Sequence, residues 1–272
     1  MAQAAIVPEG SEIPELPPEL AVDYVDPVTV DKAATFATGE KLKFRLGWSL
    51  FKVAKATLQV EPDSYNEETS LKISLEARTN SFADAFYKVR NLSTSWVADD
   101  MSRSFEYSAV QKEGERNRDT QALFDPVSLK ARYKNNSNGE EIGPVDILPG
   151  TFDPLGIVFF VRCLDFEVGD RLVVPTSNGK EFFYTFIKVV KKVERRFSLG
   201  RYEAYVLEPD IKDIGGVFKR SKNGMIRFYF SADEQKLPLR MESEVAVGKF
   251  WAELVDVGTP EEAVSVAVAK ID

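Results

Sequence analysis

The sequence predicts a mainly β protein: a strongly curved antiparallel sheet or incomplete β-barrel, with two short core helices (about 81–90 and 153–164) and a small C-terminal helix. Three observations carry this expectation. From residue 40 onward, apolar and polar residues alternate with period two through most of the chain, the pattern of strands with one buried and one wet face. Turn dipeptides such as Asp125-Pro126, Asn178-Gly179 and Asn223-Gly224 recur between those runs. Two internal segments break into helical spacing, and one of them is apolar nearly all round.

Taken in order, Pro8, Pro14, Pro17, Pro18 and Pro27 stand among acidic residues in 1–37. Proline pins φ and lacks an N–H, so this stretch reads as an extended arm or tether. Leu42, Phe44, Leu46 and Trp48 alternate with Lys41, Lys43, Arg45 and Gly47 as a first strand. Ala54, Ala56, Leu58 and Val60 form a second, and Leu71, Ile73, Leu75 and Ala77 a third. Phe82, Ala85, Phe86 and Val89 then fall at i, i+3, i+4 and i+7, with Ser81 as N-cap and Asp84 in a capping-box position, predicting a helix over 81–90. Strands follow at about 92–98, 103–113, 117–124 and 127–134, with turn residues at 135–139. Asp153 can accept the free N–H groups of a second helix, Pro154 suits its first position, and 155–164 is apolar, so that helix is expected to plug the curved sheet. The last third reads as hairpins: 171–175 with 182–195, then 202–208, 217–221 with 225–230, 239–247 and 250–255. Thr259-Pro260-Glu261-Glu262 is a capping box opening a helix at about 260–270. The expected organisation is an arm over 1–37, one β unit over 38–257 and a helix or tail over 258–272.

Composition narrows the chemistry. None of the 272 residues is histidine and one, Cys163, is cysteine. Histidine relays, histidine-ligated metals, internal disulfides and CxxC motifs are thereby excluded. Cys163 falls on the apolar helix and reads as an inert core thiol. A net charge of −8 with no basic block argues against nucleic acid. No apolar run reaches the roughly 18 residues of a membrane-spanning helix. Met1-Ala2-Gln3-Ala4-Ala5 lacks the basic and apolar regions of a signal peptide, while Ala2-Gln3-Ala4 resembles the tail of a cleavage site.

The order of segments resembles the family called domain of unknown function 3108. Gly39-Glu40-Lys41-Leu42, Arg45-Leu46-Gly47-Trp48 and Ala54-Lys55-Ala56-Thr57-Leu58 match its opening hairpin. Ala77-Arg78-Thr79-Asn80, Phe86-Tyr87-Lys88-Val89-Arg90, the strand ending at Trp96 and Pro149-Gly150-Thr151-Phe152-Asp153-Pro154-Leu155 follow in the same order. Phe197-Ser198-Leu199-Gly200-Arg201-Tyr202, Glu208-Pro209-Asp210-Ile211 and Leu237-Pro238-Leu239-Arg240-Met241 complete a likeness over about 38–257. The resemblance implies an exported bacterial protein of the periplasm or cell envelope, a mostly antiparallel β fold and no established activity. The lipid-anchor cysteine of a lipoprotein is absent from this N-terminus, which favours a soluble periplasmic form.

Candidate sites are of two kinds. Glu208, Asp210 and Asp213 precede Gly215-Gly216, and Glu242 and Glu244 share a strand face with Arg240. These carboxylates could suit a hard cation or acid–base work, but they read better as a solvated turn and a cross-strand ion-pair ladder. Gly215-Gly216 with Lys219 and Arg220 lacks the following helix that a phosphate loop needs. The aromatic residues are more suggestive. If the sheet curls around them, its concave side becomes an apolar cavity. The candidate ligand-binding residues are Trp48, Phe51, Phe82, Phe86, Tyr87, Trp96 and Phe159, with Arg78 and Arg90 able to meet an acidic head group or to pair with Glu76 or Asp84. No catalytic residue, metal ligand or cofactor is assigned. The expected function is non-enzymatic: an exported protein holding a lipid or other hydrophobic small molecule. The alternatives are an envelope assembly factor acting on a protein partner, and a carboxylate-based glycan hydrolase.

Overall fold

The computed structural model describes residues 14, 16–32, 36, 38–210, 225–245 and 248–258. Within them the period-two patterning becomes fourteen strands. The first eight are β1 (Lys41–Trp48), β2 (Phe51–Tyr65), β3 (Glu68–Thr79), β4 (Val89–Ala98), β5 (Ser104–Glu113), β6 (Arg116–Asp125), β7 (Lys130–Asn135) and β8 (Glu140–Asp146). The rest are β9 (Arg171–Ser177), β10 (Phe182–Phe197), β11 (Gly200–Pro209), β12 (Met225–Ser231), β13 (Pro238–Val245) and β14 (Gly248–Gly258). Each half is an antiparallel meander, and β1 pairs with β14 to join them into one sheet, in the order β8 back to β1, then β14 back to β9. The sheet does not close, and β8 and β9 are its edges.

Both edges are protected. Val173 N–H donates to the Asp23 carbonyl (2.8 Å) and Val25 N–H to the Val173 carbonyl (2.9 Å), so the proline-rich arm covers one stretch of β9. Phe152 covers the next through paired bonds with Pro175 and Ser177. Edge β8 carries Glu140, Glu141 and Pro144, residues that discourage further strand pairing.

Residues directly opposite in a ladder share a face. One such row crosses half the sheet as Leu42, Leu58, Leu75, Ser93, Ala109 and Thr120. Its first members help build the main core, whereas its last members are small. That gradient leaves the concave face full on the β1–β3 side and roomy on the β5–β6 side.

Two α-helices lie among the described residues, α1 (Ser81–Asp84) and α2 (Gly156–Arg162). The first is far shorter than 81–90. Asn80, not Ser81, caps it by accepting from Ala83 N–H, and none of its residues is buried. Its aromatic stripe therefore faces solvent at a turn, which corrects the expectation of a core helix. The second is the buried plug, shorter than 153–164 but with Ile157, Phe159, Phe160 and Val161 packed into a core that reaches β1–β4 and β9–β13. Asp153 accepts from Leu155 and Gly156 N–H (2.8 and 3.0 Å) and from the Ser95 and Ser104 hydroxyls (2.5 and 2.6 Å). Strand β8 had no counterpart in the sequence reading, because Gly143 and Pro144 break its alternation. The expected strand at 217–221, the helix at 260–270 and the Gly215-Gly216 segment lie outside the described residues. No helix among those residues is long and apolar enough to cross a membrane, which says nothing of strands.

Candidate functional site: an amphipathic cavity

Alternating strand directions place the β1–β2, β3–β4, β5–β6, β7–β8, β9–β10 and β13–β14 connections, with the end of β11 and the start of β12, at one end of the sheet, the rim. Helix α2 is fastened near the other end. The fully buried Arg162 guanidinium makes a two-pronged bond to the Glu40 carboxylate (2.7 and 2.9 Å), just before β1 begins. It also donates to the Gln235 carbonyl (3.2 Å) in the β12–β13 connection, and lies 5.2 Å from each of the Phe36 and Phe159 rings.

Above α2 lies an open cavity of about 700 Å³, within the range of small-molecule sites. Pro154, Ile157, Val158 and Val161 form its floor. One wall comes from Tyr107, Ala109, Thr120 and Ala122 of β5 and β6, the other from Phe183, Thr185, Ile187, Leu207, Phe228 and Phe230 of β10–β12. The cavity exists because Ala109, Thr120 and Ala122 leave the β5–β6 wall low where bulky residues fill the rest of the concave face. Burial raises the Tyr107 hydroxyl above its usual pKa, against a bond with Ser93.

Polar groups gather at the rim. Arg118 donates to the Tyr133 hydroxyl (2.9 Å), and the Lys180 ammonium sits 4.0 Å above the same ring and 3.6 Å from Glu140. Lys180 belongs to the β9–β10 turn, which closes against β6 and β7 through Gly179. That residue has φ of +83°, and a Cβ there would fall 2.6 Å from the Ala122 Cβ. Only glycine fits both the conformation and the contact. The result is an apolar chamber with two cations, Arg118 and Lys180, and one carboxylate, Glu181, at its mouth.

None of the nine sequence-derived ligand candidates is among the residues lining this cavity. Trp48, Phe51, Phe82, Phe86 and Tyr87 are exposed at the rim. Phe159 is fully buried, on the face of α2 turned from the cavity, edge-on to Phe36 at 5.1 Å. Trp96 stands on the outer face of β4, its indole N–H donating to Asp63 (3.1 Å). Its parity is opposite to that of Ser93 and Ser95, which face inward. Arg78 pairs with Glu76 (2.5 Å) and Arg90 with Asp84 (2.6 Å), the more ordinary of the two roles open to them. The cavity residues escaped sequence reading because smallness at Ala109, Thr120 and Thr185 acquires meaning only once strand register is known. Arg162 did carry a signal, a charged residue inside an apolar helix that demands a buried partner.

The carboxylate candidates are occupied. Glu208 accepts from Arg227 (2.6 Å), and Glu244 pairs with Lys249. Glu242 accepts from Arg240 (2.6 Å), Arg195 (3.2 Å) and the Tyr229 hydroxyl (3.1 Å). Burial works to raise the Glu242 carboxyl, but the two arginines outweigh it and hold the group below its usual pKa. That is the opposite of what a glycosidase acid needs. Asp213 lies outside the described residues.

No curated protein matches the chain. Among solved structures it is similar to a beta-barrel-like protein of domain of unknown function DUF1849 from Brucella abortus, with 11% identity and a TM-score of 0.48 over 81% of this chain and 97% of that one. It is also similar to the hypothetical protein CT021 from Chlamydia trachomatis, with 13% identity and a TM-score of 0.34 over 82% and 88%. A third likeness is to a protein from Parabacteroides distasonis described as a "putative lipoprotein", at 8% identity and a TM-score of 0.28 over 82% and 96%. The model of the family described as Protein of unknown function (DUF3108) matches residues 43–255, from the second turn of the β1 alternation to the last residues of β14, and the chain belongs to that family.

Proposed function

We propose that this protein binds an amphipathic molecule, its apolar body in the chamber above α2 and an anionic head at Arg118 and Lys180, and that it does so in the cell envelope. The single observation behind this reading is the cavity of about 700 Å³ with an apolar floor and walls and, at its mouth, two cations against one carboxylate, Glu181. Its floor is a buried helix held by a buried ion pair, so the chamber is pre-formed rather than made on binding.

The test fills the chamber from within. Val158→Trp combined with Thr185→Phe adds bulk from floor and wall. Uptake of a fluorescent long-chain fatty acid is expected to fall by roughly tenfold or more, while the thermal midpoint holds or rises, because the added groups occupy open space. Arg118→Ala is expected to weaken the fatty acid more than its neutral alcohol analogue. Unchanged uptake by the filled variant would refute the assignment.

A further inference from the structure

The chamber opens at the end of the sheet where the chain also exposes its aromatic side chains. Six aromatic residues are exposed among the described residues: Trp48, Phe51, Phe82, Phe86, Tyr87 and Phe250. All six lie in the β1–β2, β3–β4 and β13–β14 connections or their flanking residues. Leu50, 94% exposed, and Phe86, 80% exposed, stand furthest out. Among the described residues, the large apolar side chains exposed at the opposite end, such as Val127 and Val168, are aliphatic. Tyr87 ties this group to the cavity mouth, since its hydroxyl donates to the Glu113 carbonyl at the end of β5 (3.3 Å), two residues beyond the lining residue Gln111.

Charge follows the same division. In the described rim segments 48–55, 79–90, 112–118, 134–141, 178–181, 208–210, 225–227 and 244–250, eleven lysines and arginines stand against nine carboxylates, on a chain whose net charge is −8. Lys52, Lys88, Lys112 and Arg116 are exposed there. Protruding aromatic side chains interleaved with cations are the composition that inserts at a bilayer interface and is drawn to anionic head groups.

We infer that the rim docks on the surface of an anionic phospholipid bilayer, with the cavity mouth turned toward it. A protein-binding surface is less well matched, because these side chains protrude from three separate turns instead of forming one flat face. The inference extends the proposed ligand-binding role, since a mouth against the bilayer gives an amphipathic molecule a path that avoids water.

The test is co-sedimentation of the full chain with vesicles of phosphatidylcholine, with and without phosphatidylglycerol. Binding is expected with phosphatidylglycerol and is expected to weaken with added salt. Leu50→Ser with Phe86→Ser should lower the bound fraction roughly tenfold or more, because each removes an inserting apolar group. Both residues are exposed, so far-ultraviolet dichroism and the thermal midpoint should not move. Lys52→Glu with Lys88→Glu should remove the preference for phosphatidylglycerol, and Val127→Ser with Val168→Ser at the far end should change nothing. Failure of the native chain to sediment, equal loss from the far-end variant, or a rim that captures a protein but no vesicle would each overturn the inference. The chamber-filled variant separates this from the proposed function: it should still sediment while taking up no fatty acid.

Discussion

At the scale of single residues, two buried or bonded charges are the most exposed to test. The Arg162–Glu40 pair joins the floor helix to the start of β1, and the Arg162 side chain has no solvent access. Replacing one partner leaves the other charge buried. Arg162→Met should therefore cost about 3–5 kcal/mol, whereas Glu40→Leu with Arg162→Met should recover most of that loss. Urea unfolding checks both, and a single variant within about 1 kcal/mol of the parent would show that the pair does not fasten α2. Asp84 offers a pH test of opposite character. Bonds from Arg90 and Thr79 hold its carboxyl at about 2. The unfolded chain takes up this proton near 3.8, so between those values it binds more protons than the native state. The contribution is complete above 3.8 and is lost as pH falls through about 2. Carboxyl carbon resonances should show the Asp84 midpoint near 2, and a midpoint near 3.8 would mean that Arg90 does not hold α1 in place.

Among elements, α2 carries the sharpest prediction. Helix propensity alone favours Gly156→Ala by about 1 kcal/mol. Here an added Cβ would meet Asp153 Oδ2 at 2.8 Å, the Ser104 hydroxyl at 3.0 Å and Val97 at 3.0 Å. The substitution should instead destabilise by about 1–3 kcal/mol in urea unfolding, since the cap network and β4 would have to move. The same helix shows what a sequence reveals. Its buried character follows from an unbroken apolar run, and β1 to β3 follow from the alternation of Leu and Lys, because both are local patterns. Helix α1 misleads, since an i, i+3, i+4, i+7 stripe marks a shared face but not what that face meets. Trp96 misleads for a related reason: an aromatic residue reads as core until the pairing of Trp96 with Lys72 sets it on the outer face with Arg90 and Thr94. Strand β8 is illegible because Gly143 and Pro144 remove its period. The chamber is least legible of all, because its lining comes from strands as far apart in sequence as β5 and β12 and its room from small side chains on β5 and β6.

For the whole molecule, two meanders meet at β1–β14 and leave a gap between β8 and β9. The β9–β10 turn leans across toward β6 and β7, and the proline-rich arm covers β9. These contacts hold the walls of the chamber apart from one another while α2 blocks one end. The rim is left as the entrance, carrying Arg118 and Lys180, with exposed aromatic side chains along the β13–β14, β1–β2 and β3–β4 turns of the same end. Methyl-resolved nuclear magnetic resonance during titration with a long-chain fatty acid tests the central claim most directly. Binding in the chamber should shift Ile157, Val158, Val161, Ile187, Leu207 and Ile226 together, with Leu50 and Val127 little changed. Shifts confined to Leu50 and its neighbours on the rim, or no shifts at any ligand excess, would contradict it.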